Sequence, residues 1–169
     1  DGRCNIVATL KGEQSGPRLV YICHQDTVPL GDGWHHDPLA AEIVDGRMYG
    51  RGSCDMKSGL AAGMLAFRSI AAMGKKLKYD FLFIASMDEE DIMIGADKLI
   101  ADGIVRADDY VLDAEPTNGA IKVAHKGKTW FRLDAKGVAC HASTPEKGSD
   151  AVAALSEVIC AINRRLRAL

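Results

Sequence analysis

The stretch Leu19-Val20-Tyr21-Ile22-Cys23-His24-Gln25-Asp26 is a five-residue apolar run that ends in an imidazole and a carboxylate. An apolar run of that length, rich in β-branched and aromatic side chains, is the pattern of a β-strand. The same arrangement recurs twice: Asp88-Glu89-Glu90 follows Phe81-Leu82-Phe83-Ile84-Ala85, and Glu115 follows Tyr110-Val111-Leu112. A fourth group, Asp55, opens the helix-like segment Met56-Lys57-Ser58-Gly59-Leu60. In an open α/β sheet, the crevice outside the carboxyl ends of the strands gathers such residues, however far apart they lie in sequence. One imidazole with several carboxylates makes a poor core and a good seat for divalent metal.

Working outward, further strand-like runs lie at residues 5–10 and 128–135, and a hairpin is expected over residues 41–49 with Asp45-Gly46 as its turn. Helical periodicity fills the gaps. Leu60, Met64, Phe67 and Ala71 recur at spacings of four, three and four before Gly74. A second helix is expected over residues 94–102, stopped by Gly103. A third begins near Asp150, capped by Ser149 or Asp150, with Val152, Leu155, Ile159, Ile162, Leu166 and Leu169 as its apolar stripe. Strands alternating with such helices predict an α/β fold, a largely parallel sheet wrapped by helices. The character changes after Glu115. With Lys126-Gly127-Lys128 as a hinge, residues 1–126 are expected to form one domain and residues 127–169 the start of a second.

At 169 residues, 47% hydrophobic and 26% charged, the chain falls in the globular range. A formal net charge of −2 and no basic block beyond Arg164-Arg165-Leu166-Arg167 argue against nucleic acid or an anionic membrane surface. That basic end suits a helix C-terminus. No run approaches the roughly 18 apolar residues of a membrane span. No signal peptide opens the chain, though it also lacks an initiator Met. Five cysteines, with no C-x-x-C pair, fit the thiols of a reducing compartment, so a cytoplasmic protein is expected.

Each motif has a plain alternative when taken alone. His24-Gln25-Asp26 fits a surface histidine beside a turn, and Asp55 fits a helix N-cap. Asp88-Glu89-Glu90-Asp91 fits a solvated acidic loop, and His141 a lone loop histidine. Other chemistries find less support. There is no G-x-S-x-G elbow to make Ser53 or Ser58 a nucleophile, and Gly31-Asp32-Gly33 lacks the third glycine of a dinucleotide loop.

Taken in order, the blocks resemble the M20 family of metallopeptidases and deacylases, which includes acetylornithine deacetylases, succinyl-diaminopimelate desuccinylases and glutamate carboxypeptidases. The blocks are His24-Gln25-Asp26-Thr27-Val28-Pro29, Gly50-Arg51-Gly52-Ser53-Cys54-Asp55-Met56-Lys57-Ser58-Gly59, Asp88-Glu89-Glu90 with Gly95-Ala96, Glu115-Pro116-Thr117, and His141-Ala142-Ser143-Thr144-Pro145. The resemblance implies a di-zinc exopeptidase-like catalytic domain followed by an α+β lid and dimerisation domain. It implies two divalent metal ions, zinc first, with cobalt or manganese as alternatives. Asp55 would bridge them, His24 and Glu115 would complete one site, and Glu90 would belong to the other. Glu89 would be the general base acting on a metal-bridging water, and Asp26 the partner that orients His24. His141, on the lid, would reach the partner subunit's active site in a homodimer. A cis peptide after Asp55 is implied as well.

The implied activity is hydrolysis of an N-acyl amino acid or small peptide. The alternative is a non-catalytic piece that binds or dimerises. Two departures stand out: Cys23 where the family usually has a small residue, and Asp91-Ile92-Met93-Ile94 in place of glycines after the two glutamates. The family's last metal-binding histidine lies beyond the lid. The 169-residue chain therefore resembles the front part of such an enzyme and by itself is expected to be inactive.

Overall fold

The apolar runs that dominate the sequence become the sheet in the computed structural model, which describes residues 2–168. In chain order the elements are β1 (Ile6–Leu10), β2 (Leu19–His24), β3 (Glu42–Val44), β4 (Arg47–Tyr49), α1 (Ser58–Ala72), β5 (Phe81–Ser86), α2 (Ile94–Ala101), β6 (Tyr110–Asp113) and α3 (Ala151–Leu166). The main sheet has the order β1-β5-β2-β6. β2 runs parallel to β5 and to β6, while β1 closes one edge antiparallel to β5. In this register His24 stands opposite Ser86, and Ile22 opposite both Ile84 and Asp113. The carboxyl ends of β2, β5 and β6 therefore come together, and the loops that leave them share one rim.

Alternation along the two central strands divides the core between two helices. Cys23, Phe83 and Ala85 face one way and pack with Met56, Leu60 and Phe67, so α1 covers that face. Val20, Leu82 and Ile84 face the other way, against Leu99 of α2. Gly63 allows α1 to lie directly on Tyr21, because a Cβ there would come within 2.2 Å of the ring carbon Cε1. In an open helix Gly→Ala gains about 1 kcal/mol. Here the ring cannot swing away, since the Tyr21 hydroxyl donates to the Gly59 carbonyl at 2.7 Å. Gly63→Ala is expected to lose about 1–3 kcal/mol through overpacking; a raised denaturant midpoint would contradict this.

Local signals at the element ends act as expected. Asp45 (φ 50°) and Gly46 (φ 74°) make the turn between β3 and β4. Gly74 and Gly103 adopt positive φ just past α1 and α2. Asp150 caps α3 by accepting from the N–H groups of Val152 and Ala153. Leu169, the last position of the predicted α3 stripe, lies outside the described residues. One expectation fails: residues 128–135 form no strand. Trp130 and Phe131 carry β propensity but are largely exposed, and no neighbouring backbone pairs with them among the described residues. A strand needs a partner ladder, and propensity alone does not supply one.

The chain divides into two compact units, one running to Lys122 and the other beginning at Val123. Within the first, an ion pair fastens β2 to the start of β6. Arg18 donates through Nε and Nη2 to both oxygens of Asp109, at 2.8 and 2.5 Å, and also to the Ile104 carbonyl. Asp109 is fully enclosed, and the Arg18 guanidinium, followed by the Arg106 N–H, holds its carboxyl far below the usual carboxylate range. A depressed folded-state pKa means stability that is present above about pH 4 and lost as pH falls toward the folded value. Asp109→Ala is expected to cost about 3 kcal/mol at neutral pH, because it leaves a largely buried guanidinium with only one carbonyl. It should also flatten the acid limb of the stability profile. Chemical denaturation between pH 2 and pH 7 checks both effects. No helix among the described residues is long and apolar enough to cross a membrane.

Candidate metal centre

His24 is the last residue of β2 and is almost wholly buried. Its ring is fixed from both sides. Nδ1 lies 2.9 Å from the Asp26 main-chain carbonyl, which calls for a proton on Nδ1. Nε2 then faces three carboxylates: Asp55 Oδ1 at 3.2 Å, Glu115 Oε1 at 3.5 Å and Glu89 Oε2 at 3.8 Å. Two sets of donor atoms lie within 4.8 Å of one another, one from His24, Asp55 and Glu90 and one from His24, Glu89 and Glu115.

Asp55 reaches this spot from an irregular turn, Ser53–Lys57, in which Asp55 and Met56 have non-helical backbone angles and the peptide between them is cis. Met56 is buried in the core under β2. No side chain of Asp55 caps α1, whose N-cap position is Lys57, so the helix-cap alternative falls away. Gly52, at φ 81°, lets the turn close: a Cβ there would come within 2.6 Å of the Thr27 methyl. Lys57 Nζ donates to the Gln25 carbonyl at 3.0 Å and ties this turn to the one after β2.

Glu89 and Glu90 leave the end of β5 and are half-buried. Asp26 meets them with its carboxylate, which accepts from the Glu89 N–H at 3.3 Å and the Glu90 N–H at 3.2 Å. Its contact with the His24 ring is through the main-chain carbonyl, with Oδ1 at 3.6 Å. The resemblance implied Asp26 as the residue that orients His24, without saying through which group. The geometry divides the residue, main chain to His24 and side chain to the loop of β5.

The carboxylates around this buried imidazole shift its titration and that of Glu115. Burial works against charge on His24, but the Asp55 carboxylate, Glu115, the Asp26 carbonyl and Glu89 together outweigh it and raise its pKa. Burial, then Asp113 and Asp55, pushes Glu115 up to about 7. Asp113 was not singled out in the sequence, yet it stands two residues before Glu115 at the end of β6 and lines the same cleft. The i, i+2 spacing at a strand end was the available signal. Cys23 is no ligand: its thiol donates to the Ile84 carbonyl, and burial followed by Asp113 pushes it up to about 11. His141 lies in the second unit, exposed, with Nδ1 2.8 Å from the Ser143 hydroxyl.

The donor set fits divalent metal. It offers one nitrogen with its lone pair directed at the carboxylates, and oxygen donors crowded closely enough to repel one another. A cation between them would relieve that repulsion.

Comparison with known proteins agrees with this chemistry. The model of Peptidase family M20/M25/M40 matches residues 20–165. A succinyl-diaminopimelate desuccinylase of Rhodopseudomonas palustris (strain BisA53) is 34% identical over 158 residues, which are 87% of this chain and 41% of that protein. An acetylornithine deacetylase of Proteus mirabilis is 35% identical over 159 residues, 94% of this chain and 40% of that one. Among solved structures, human carnosine dipeptidase 1 superposes with a TM-score of 0.54 at 28% identity, over 64% of this chain and 24% of that one. The chain thus spans about two fifths of the length of these curated relatives.

Proposed function

The chain belongs to Peptidase family M20/M25/M40, and from that membership we propose that the complete protein is a metal-dependent amide hydrolase acting on N-acyl amino acids or small peptides. The observation that carries the proposal is the convergence of Glu89 with His24, Asp55, Glu90 and Glu115 at one sheet end. His24, Asp55, Glu90 and Glu115 would hold two divalent ions of the zinc class, with Asp55 shared between them. Bound there, such ions polarise a scissile carbonyl and lower the pKa of water toward neutrality.

The chain's own residues do the rest. Glu89 takes the proton of the attacking water on its carboxylate and returns it to the leaving nitrogen. Its backbone is held for this by Asp26, whose carboxylate receives the two N–H groups of the turn. Asp26 also sets the His24 tautomer through its main-chain carbonyl. His141 donates to the oxygen that becomes negative as the tetrahedral centre forms. Residues 127–169 begin a lid and dimerisation domain, so His141 serves the active site of a partner subunit. The substrate class rests on the relatives named for removal of succinyl and acetyl groups from amino acids. A cytoplasmic location suits five cysteines that form no disulfide.

The deciding experiment is metal stoichiometry measured together with hydrolysis of N-succinyl and N-acetyl amino acids by the complete protein. Two equivalents of metal with turnover, both abolished by a chelator and restored by zinc, are the expected result. Metal binding without hydrolysis of any N-acyl amino acid or dipeptide would favour a non-catalytic binding protein instead.

A further inference from the structure

Asp88 belongs to the same acidic run as the two glutamates, yet it falls in neither ligand set and does none of the proposed chemistry. It is nevertheless the buried member of that run: Glu89 and Glu90 are half-buried and Asp91 is exposed. A carboxylate withdrawn from water must be paired or strongly hydrogen-bonded to be tolerated. Asp88 meets that demand with an ion pair to Arg3, from the segment before β1, and with the Ile94 N–H at the start of α2 at 3.5 Å.

The surrounding contacts all close one loop. The Asp88 carbonyl accepts from Met93 N–H at 2.7 Å, which brackets Glu89 and Glu90. Asp88 and Met93 both hold left-handed backbone, with φ of 63° and 61°, although neither is glycine. Such angles persist only where neighbouring contacts impose them, and they cluster at functional sites. The Asn5 side chain spans the base of the same loop, accepting from Met87 N–H at 3.0 Å and donating to the Gly95 carbonyl at 2.9 Å. Gly95 permits this closure, because a Cβ there would meet the Met87 carbonyl oxygen at 2.2 Å.

We propose that Asp88, with Arg3 as its counterion, is a positioning residue that fixes the loop from Met87 to Gly95 so that Glu89 and Glu90 enter the metal cleft at the right depth. This rests on the proposed roles of those two glutamates. Asp26 holds the crest of the loop by two N–H groups, and the Asp88–Arg3 pair holds its base. The pair acts through main-chain geometry and touches neither substrate nor metal.

The test compares Asp88→Asn, Arg3→Met and their double variant with Glu90→Gln, all in the complete protein. Cobalt(II) chloride is titrated into each metal-free protein by calorimetry, and the visible absorption of bound cobalt is recorded. Melting in chelator, kcat and KM are measured alongside. Each single variant is expected to weaken cobalt binding by about 10–100-fold, the range for residues that support ligands from behind. The cobalt spectrum should change and kcat should fall by a similar factor with little change in KM. The double variant should be no worse than the worse single one, since both substitutions break one pair. Unchanged cobalt affinity and spectrum in the Asp88→Asn protein, even with a lowered melting point, would reduce Asp88 to a fold residue and overturn the inference. If Asp88→Asn does not fold, Arg3→Met decides by the same readouts, its side chain being half exposed. Parental cobalt binding in Glu90→Gln overturns the functional reading and this inference with it. Loss of binding there, with no change in the Asp88 and Arg3 variants, overturns this inference alone.

Discussion

Glu89→Gln in the complete protein is expected to lower turnover by at least about 10²-fold while the metal content stays at the parental level. The amide keeps the size of the side chain but cannot accept a proton at neutral pH. The main-chain tie from Glu89 N–H to Asp26 does not involve the altered group, so the loop keeps its shape. Glu89 Oε2 is also the most distant of the three carboxylates from His24 Nε2, at 3.8 Å against 3.2 Å for Asp55 and 3.5 Å for Glu115. Steady-state kinetics paired with elemental analysis of the purified variant checks the prediction. Activity within a few-fold of the parent would move the general-base role to another group.

The second large effect is expected at Asp55. Asp55→Ala should weaken metal binding by at least about 100-fold, since even partners behind the ligands cost 10–100-fold. The metal-free protein should be no less stable than the parent. The Asp55 side chain is half exposed, caps no helix, and contributes to the like-charge crowding that raises Glu115. Removing it relieves repulsion at little cost in packing. Glu90→Gln should lose metal as well, since Glu90 falls in the set formed with His24 and Asp55. Titration of zinc into metal-free protein, with melts in chelator, separates binding from stability. Parental zinc affinity in Asp55→Ala would remove Asp55 from the ligand set. A large fall in chelator-treated stability would mean that its main task is to hold the turn at Ser53–Lys57.

Much of the candidate site could be read in the sequence because most of its residues sit where strands end. The runs before His24, Glu89 and Glu115 are apolar and unbroken, and a parallel arrangement forces their carboxyl ends to one rim. Asp55 was ambiguous for a local reason. A carboxylate just before a helix looks the same whether it caps that helix or turns away from it. Only the backbone angles at Asp55 and Met56 decide, and they direct the carboxylate to His24. The strand expected at residues 128–135 failed for the converse reason: its residues favour extended backbone, but pairing is a property of two segments.

By itself the sequence determined what depends on near neighbours. The periods of α1 and α3, the Asp45-Gly46 turn, the glycine stops and the Asp150 cap are all set within a few residues. The order of the acidic groups along the chain likewise needed no coordinates. The tertiary structure alone decided what depends on distance and dielectric. It placed β1 antiparallel at the sheet edge, divided Asp26 between His24 and the glutamate loop, and buried Asp88 against Arg3 while leaving Glu89 and Glu90 facing the cleft. It also buried Glu115 in part, the first cause of its raised pKa, with Asp113 adding from two residues away. The longest of these links, Arg3 to Asp88, spans 85 positions, and Asp26 to the Glu89 N–H spans 63. Electrostatic coupling falls with separation in space and with exposure to water, and neither quantity is carried by position in the chain.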